Sequence, residues 1–189
     1  MDELINRIKN GDMDAFTQLV EFYQDRAVNF AYRMLKDQSD AEDAAQEAFL
    51  KVFDKIHTFK QESKFSTWFF TILSNICRDA LRKKVKIPPT VSINQTNRED
   101  EDFELQLEDT SFEPYENFAK KDAMSTLEQA LTQISDEHRE AIVLRDIEGF
   151  DYEKISEILG VSLGTVKSRL SRARISLRKI LEENKELFL

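Results

Sequence analysis

Glycine and proline are scarce in this chain, with four and three among 189 residues. All three prolines (Pro88, Pro89 and Pro114) fall in one stretch, and no Asn-Gly or Asp-Gly pair sits between two runs of alternating apolar residues. A strand-rich chain of this length needs many turns, so an all-α fold is expected. Cysteine is represented once, by Cys77, which excludes an internal disulfide and suits a reducing, cytoplasmic compartment. No apolar run reaches the length of about 18 residues that a spanning helix needs. The acidic start, Met1-Asp2-Glu3-Leu4, lacks the basic and apolar regions of a secretory signal. No Cys/His cluster offers a structural zinc site, and no cofactor is expected. The two histidines, His57 and His138, belong to no catalytic pattern, so an enzyme is not expected. Asp40, Glu42, Asp43 and Glu47 are better accounted for by helix capping and surface roles than by a metal.

The charge is unevenly spread. The formal net charge is −9, but residues 1–87 hold 14 basic and 14 acidic side chains. Residues 119–189 hold 12 basic and 13 acidic ones, whereas residues 88–118 hold one and nine. The acidity therefore belongs to the proline-containing middle, including Glu99-Asp100-Glu101-Asp102, which reads as a flexible, solvated linker. Its few apolar residues, such as Phe103 and Phe112, leave room for docking on a partner. Two small helical domains flank it, each near the lower size limit for an independent core.

In the first domain, Phe16, Leu19, Val20, Tyr23, Ala27, Phe30, Ala31 and Met34 recur at helical intervals over Asp14–Lys36. Ser39-Asp40-Ala41-Glu42 has the capping-box pattern, so a second helix is predicted from there to about Ile56. On it, Asp43, Gln46, Glu47 and Leu50 share one face. By composition alone, that stripe is a solvated surface. A polar loop, 57–65, bracketed by aromatics, precedes a third helix from about Ser66 to Lys86. That helix opens on Trp68-Phe69-Phe70 and closes on Arg78, Arg82, Lys83, Lys84 and Lys86. Rings beside cations suit single-stranded nucleic acid, because bases stack while cations follow phosphates. The same rings at helical spacing also suit a core, and the same cations suit a helix C-terminus.

The second domain carries the sharper signal. An amphipathic helix over Met124–Ile134 precedes one capped by Ser135-Asp136-Glu137 and ended by Gly149. Asp151 caps a helix with Tyr152, Ile155, Ile158 and Leu159. Gly160-Val161-Ser162 turns into a longer helix capped by Ser162. Two helices joined by a short glycine-containing turn form a helix-turn-helix. On the last helix, Val166, Leu170, Ala173, Leu177, Ile180 and Leu181 fall within an arc of about 100°. Residues 167–179 contain six cations and no acid. One dry face and an unopposed cationic remainder fit duplex DNA. In such a motif the start of the second helix reaches base edges, here Thr165, Lys167, Ser168, Ser171 and Arg172.

Taken together, these segments resemble a bacterial RNA polymerase sigma factor of the extracytoplasmic-function group, within the sigma-70 family. Residues 40–51 and 65–75 resemble region two of that family. Tyr152-Glu-Lys-Ile155, Gly164-Thr-Val-Lys-Ser-Arg169 and Arg172-Ala-Arg174 resemble region four. The resemblance implies a transcription initiation factor with residues 1–87 as region two, 88–118 as linker and 119–189 as region four. It implies that Asp43, Gln46, Glu47 and Leu50 dock on the clamp helices of the polymerase β′ subunit, and that region four meets the β flap. It assigns the minus-ten element to Phe59, Lys64, Phe65, Ser66, Trp68, Asn75 and Arg78, and the minus-thirty-five element to Arg145, Lys167, Ser168, Ser171 and Arg172. A larger or aromatic residue can stand in the family where Ser171 stands here. The resemblance further implies promoter DNA and an anti-sigma factor as partners, and no small-molecule substrate. The alternative is a stand-alone helix-turn-helix regulator binding a palindrome as a symmetric dimer.

Overall fold

The structure, a computed structural model, describes residues 1–86 and 126–185, and the described residues contain helices and no strand. The linker expectation for 88–118 lies outside the described residues. Helix α1 (Asp2–Lys9) was not anticipated from the sequence; it is short and buries Ile5 and Ile8, with Leu4 packed beside them. The Asn10-Gly11 pair turns the chain, with Gly11 at φ +87°, a conformation glycine adopts freely. Helix α2 (Met13–Leu35) begins at Asp12, whose carboxylate accepts from the Ala15 amide at 3.0 Å. That bond, with help from Arg7, holds the Asp12 carboxyl below its ordinary range.

Helix α3 (Gln38–Lys55) is capped differently from the sequence expectation. Asp37, not Ser39, takes the N-cap, accepting from the Asp40 amide at 2.9 Å. Asp37 has the extended backbone of a cap, so Ser39 already lies inside the first turn. A 3₁₀ turn (Ile56–Thr58) and a loop lead to α4 (Phe65–Lys86).

Helix α5 covers described residues 126–133. Helix α6 (Asp136–Ile142) follows, with Ser135 at its N-cap but no side-chain cap bond. It widens into a π turn over Val143–Ile147 before Gly149, at φ +78°, ends it. Helix α7 (Tyr152–Leu159) is capped by Asp151, which accepts from the Lys154 amide at 2.7 Å, and closed by left-handed Gly160. Ser162 Oγ accepts from the Thr165 amide and starts α8 (Leu163–Lys185). The predicted apolar stripe is the buried one: Val166, Leu170, Ala173 and Leu177 are in the core, with Ile180 and Leu181 packed against it.

The two helical units are packed together, with α4 against α7 and α2 against α6. Arg139 is the largest fully buried side chain of the seam, at 1% exposure. Its guanidinium donates to the carbonyls of Leu131 (2.8 Å), Ile134 (3.1 Å) and, across the seam, Met34 (2.8 Å). Satisfying the last-turn carbonyls of both α2 and α5 is what makes a buried cation tolerable there. Arg26 adds a bond to Glu148 at 2.8 Å, and the Phe70 and Phe150 rings meet edge-on at 5.2 Å. Among the described residues no helix is long and apolar enough to cross a membrane, and no group of three His, Cys, Asp or Glu could hold a metal.

Candidate nucleic-acid interface

The second unit displays its candidate residues. Lys167, Ser168, Ser171 and Arg172 are all exposed on the first half of α8. Thr165 is half-buried; its hydroxyl pairs with Ser162 Oγ at 2.8 Å, and its carbonyl accepts from Ser168 Oγ. Three other cations of the helix are occupied, Lys179 by Glu183 at 3.8 Å. Arg174 forks onto Asp146 at 2.6 and 3.2 Å, which holds its guanidinium more firmly protonated, and Arg169 pairs with Glu137 at 3.0 Å. Lys167, Arg172 and Arg178 have no carboxylate partner among the described residues. A cavity of about 570 Å³ runs along this face between Tyr152, Lys167, Ser171 and Ile175. Arg145 stands apart from the row: it donates to the Phe150 carbonyl at 2.8 Å and lies over the Tyr152 ring at 5.0 Å. It thus braces the turn into α7, where its pairing with Phe150 leaves other guanidinium nitrogens available.

The first unit keeps its candidates partly folded away, and they form two groups. At the head of α4, Phe59 and Phe65 are core residues, 5% and 4% exposed. Neither ring face is open to a base in this form. Together they support Trp68, which is half-buried and stacks on Phe59 at 5.0 Å with 30° between planes. Lys64 is exposed and Ser66 half-buried beside it. Asn75 and Arg78 lie further along α4, roughly 15 Å away at 1.5 Å per residue. Arg78 donates to Asn75 Oδ1 at 2.9 Å, pairs with Glu140 at 3.4 Å, and points toward the carbonyls of Ile158 and Leu159. It therefore faces the second unit and not the loop.

Glu140 is the other seam residue that the sequence did not flag. Burial pushes its carboxyl up, while Arg78 and the Ser74 hydroxyl, which donates to it, pull it down. Glu148 is also raised by burial and lowered by Arg26. Cys77 lies next to this group, and burial, followed by Glu140, pushes its thiol up to about 12. A thiol so protonated is a poor nucleophile.

On the opposite side of the first unit, Asp43, Gln46, Glu47 and Leu50 are exposed together, Leu50 at 61%. Glu47 pairs with Lys51 at 2.6 Å. Gln46 and Leu50 border an apolar groove of about 280 Å³ between α2 and α3, floored by Phe16, Val20, Val28 and Phe49. The sequence stripe was therefore half of a larger feature, since the groove's other wall comes from α2. An exposed leucine beside an apolar groove is the usual composition of a protein-docking patch.

Comparison with known proteins supplies the context for these surfaces. Residues 19–87 match the family described as Sigma-70 region 2, and residues 125–177 match Sigma-70, region 4. The chain is 35% identical over 179 residues to the ECF RNA polymerase sigma factor SigW of Bacillus subtilis, covering 95% of both. It is 31% identical to the RNA polymerase sigma-H factor of Pseudomonas aeruginosa, over 95% of this chain and 93% of that one. Among solved structures, the sigma factor RpoE in complex with the anti-sigma factor NepR, from Bartonella quintana, superposes with a TM-score of 0.66 at 29% identity, over 88% of this chain and 96% of that one. CnrH in complex with the cytosolic domain of CnrY shares the fold, with a TM-score of 0.66 at 23% identity over 95% and 96% of the two chains.

Proposed function

The chain belongs to the extracytoplasmic-function sigma factors of RNA polymerase and directs that enzyme to specific promoters, and we propose that it divides the work between its two helical units. Residues 1–87 dock on core polymerase and open the minus-ten element, residues 88–118 link, and residues 119–189 read the minus-thirty-five element. The observation that carries this division is the contrast on the surface. The start of α8 displays Lys167, Ser168, Ser171 and Arg172, while α3 displays Gln46, Glu47 and Leu50 beside an apolar groove.

Duplex recognition follows from α8. Its cations pair with phosphates, and Arg172 can fork onto a guanine edge. Thr165 contributes at the helix start, and Arg145 holds the turn that sets the approach of α7. Opening the minus-ten element follows from the loop and the head of α4. Flipping a base costs a few kcal/mol, and stacking returns about 1–3 kcal/mol per base. These nearly balance, so opening depends on which base is captured. Trp68, Lys64 and Ser66 are the displayed groups. Phe59 and Phe65 hold them in place, and Asn75 with Arg78 acts further along α4 once the seam is released.

The packed seam bears on this. A compact chain of this length spans about 40 Å, whereas elements centred about 25 base pairs apart lie roughly 85 Å apart at 3.4 Å per pair. The closed chain cannot touch both elements, so polymerase binding must separate the units. No step is catalysed by this chain; binding energy drives opening. A cytoplasmic location and an anti-sigma partner accord with this role. The related RpoE of Bartonella quintana was solved as a complex of that kind.

Co-elution with bacterial core RNA polymerase tests the docking face. Wild type should co-elute one to one, and a Gln46/Glu47/Leu50 triple alanine variant should be impaired. A variant that co-elutes like wild type would withdraw the docking face, and a tight footprint of the free chain on duplex DNA would favour a stand-alone regulator.

A further inference from the structure

Helix α1 carries two polar side chains that its own anchoring does not use. Ile5 and Ile8 fix it to the core. Asn6 and Lys9, one turn apart on a shared face, both reach the loop after α3. Lys9 Nζ donates to the Phe59 carbonyl at 2.5 Å and lies 5.8 Å from the centre of the Phe59 ring. Gln61 Nε2 donates to Asn6 Oδ1 at 3.1 Å.

Both bonds fall where the loop needs outside help. At Phe59 the chain leaves the 3₁₀ turn for an extended conformation, so its carbonyl has no place in a helical ladder. Gln61 has φ +60°, a left-handed conformation that a residue with a side chain adopts only when its surroundings hold it there. Phe59 in turn backs Trp68, the half-exposed ring at the head of α4. A continuous path thus runs from Lys9 through Phe59 to Trp68, and α1 precedes residue 19, where the family match begins.

We infer that α1 is a positioning element for strand capture: Lys9 and Asn6 hold the 57–65 loop in the shape in which Trp68, Lys64 and Ser66 meet an unpaired base. The inference rests on the reading of that loop as the minus-ten reader. Lys9 and Asn6 are positioning residues that act through Phe59 and Gln61 and do not touch the DNA.

The test uses holoenzyme reconstituted from the full chain and core polymerase. The probe is short single-stranded DNA randomised along its length, recovered from the complex and sequenced. Wild type should enrich a preferred base pattern. Lys9→Met, which keeps the apolar stem and removes the donor, should lower that enrichment about tenfold, the loss expected for one charge-assisted hydrogen bond. Co-elution with polymerase should be unchanged. Lys9→Arg, which keeps a cationic donor, should recover most of the enrichment. Asn6→Ala should lower it as well, but not in a Gln61→Gly background, because glycine holds the left-handed conformation without help. Equal losses in Lys9→Met and Lys9→Arg would reduce Lys9 to a packing role and overturn the inference. Unchanged enrichment in Lys9→Met and Asn6→Ala, with losses in Ser66→Ala and Trp68→Ala, would overturn the role of α1 alone. No loss in any of these variants would overturn the loop reading and the inference with it.

Discussion

The two helical units differ in the side chains they offer to the nucleic acid that the proposal assigns them. The first concentrates aromatics: Phe59, Phe65, Phe69 and Phe70 interlock with Trp68 and Tyr23 in edge-on and stacked contacts. The second has a mainly aliphatic core and shows cations along α8. Duplex DNA offers phosphates and groove edges that a displayed cationic helix can meet as it stands. An unpaired base instead needs a ring face, and here the ring faces serve as packing until something draws on them. In the proposed division, the duplex reader is displayed in the free chain, while the single-strand reader is partly enclosed and shares Arg78 with the seam.

Breaking the seam should give the largest effect. Arg139→Met orphans three buried carbonyls, two of them within the second unit, and should cost about 3 kcal/mol in urea unfolding followed by circular dichroism. A loss below about 1 kcal/mol would mean that Arg139 adds little to a seam held by apolar contact and by the Arg26–Glu148 and Arg78–Glu140 pairs.

Next in size is a crossed pair that sharpens the division of labour. Arg172→Ala should weaken holoenzyme binding to duplex minus-thirty-five DNA by about 1–3 kcal/mol and leave capture of single-stranded DNA intact. Trp68→Ala should weaken capture by about 1–3 kcal/mol and leave duplex binding intact. Both measurements are fluorescence titrations, and equal effects of one variant on both probes would dissolve the contrast. Lys167→Ala should act more weakly and more uniformly, reducing the salt slope of duplex binding by about one.

Much of this contrast was legible in the sequence. Gly160 and Ser162 punctuate the helix-turn-helix, and the periodicity of Val166, Leu170, Ala173 and Leu177 alone separates the buried from the displayed face of α8. Local signals suffice there because the displayed surface belongs to a single helix. The first unit was less transparent. Phe59 and Phe65 are flanked by polar residues, so their burial depends on α1 and α2 folding over them, which no local pattern encodes. Asp37 outcompeted Ser39 for the cap of α3 because its backbone is extended, a detail set by the preceding left-handed Lys36. Arg139 was invisible for a similar reason: besides Asp136 on its own helix, its partners are carbonyls, one of them 105 residues away.

A smaller effect concerns pH. Burial raises Glu140 and Glu148 above the ordinary carboxylate value of 4.5, so the closed form binds more protons than an open form in which both are solvated. Closure should therefore strengthen as pH falls from neutral toward that value, and weaken as pH rises back through the raised values. Glu140 faces Ser74 and Arg78 from α4, Arg169 from α8 and Glu137 on its own helix; Glu148 faces Arg26 and Arg33 from α2. Glu140→Gln should flatten part of the dependence in a paired-label distance measurement. An unchanged slope would place the titration elsewhere. Smallest of all, native Cys77 should resist alkylation at neutral pH and react on unfolding.

The most direct test of the account is the separation of the two units, read by energy transfer between labels at Lys55→Cys and Glu182→Cys, two exposed positions, with Cys77 buried and silent. Transfer should be high in the free chain and fall sharply in the holoenzyme on promoter DNA, as the units move toward elements roughly 85 Å apart. Transfer that stays high in an open, transcribing complex would contradict it.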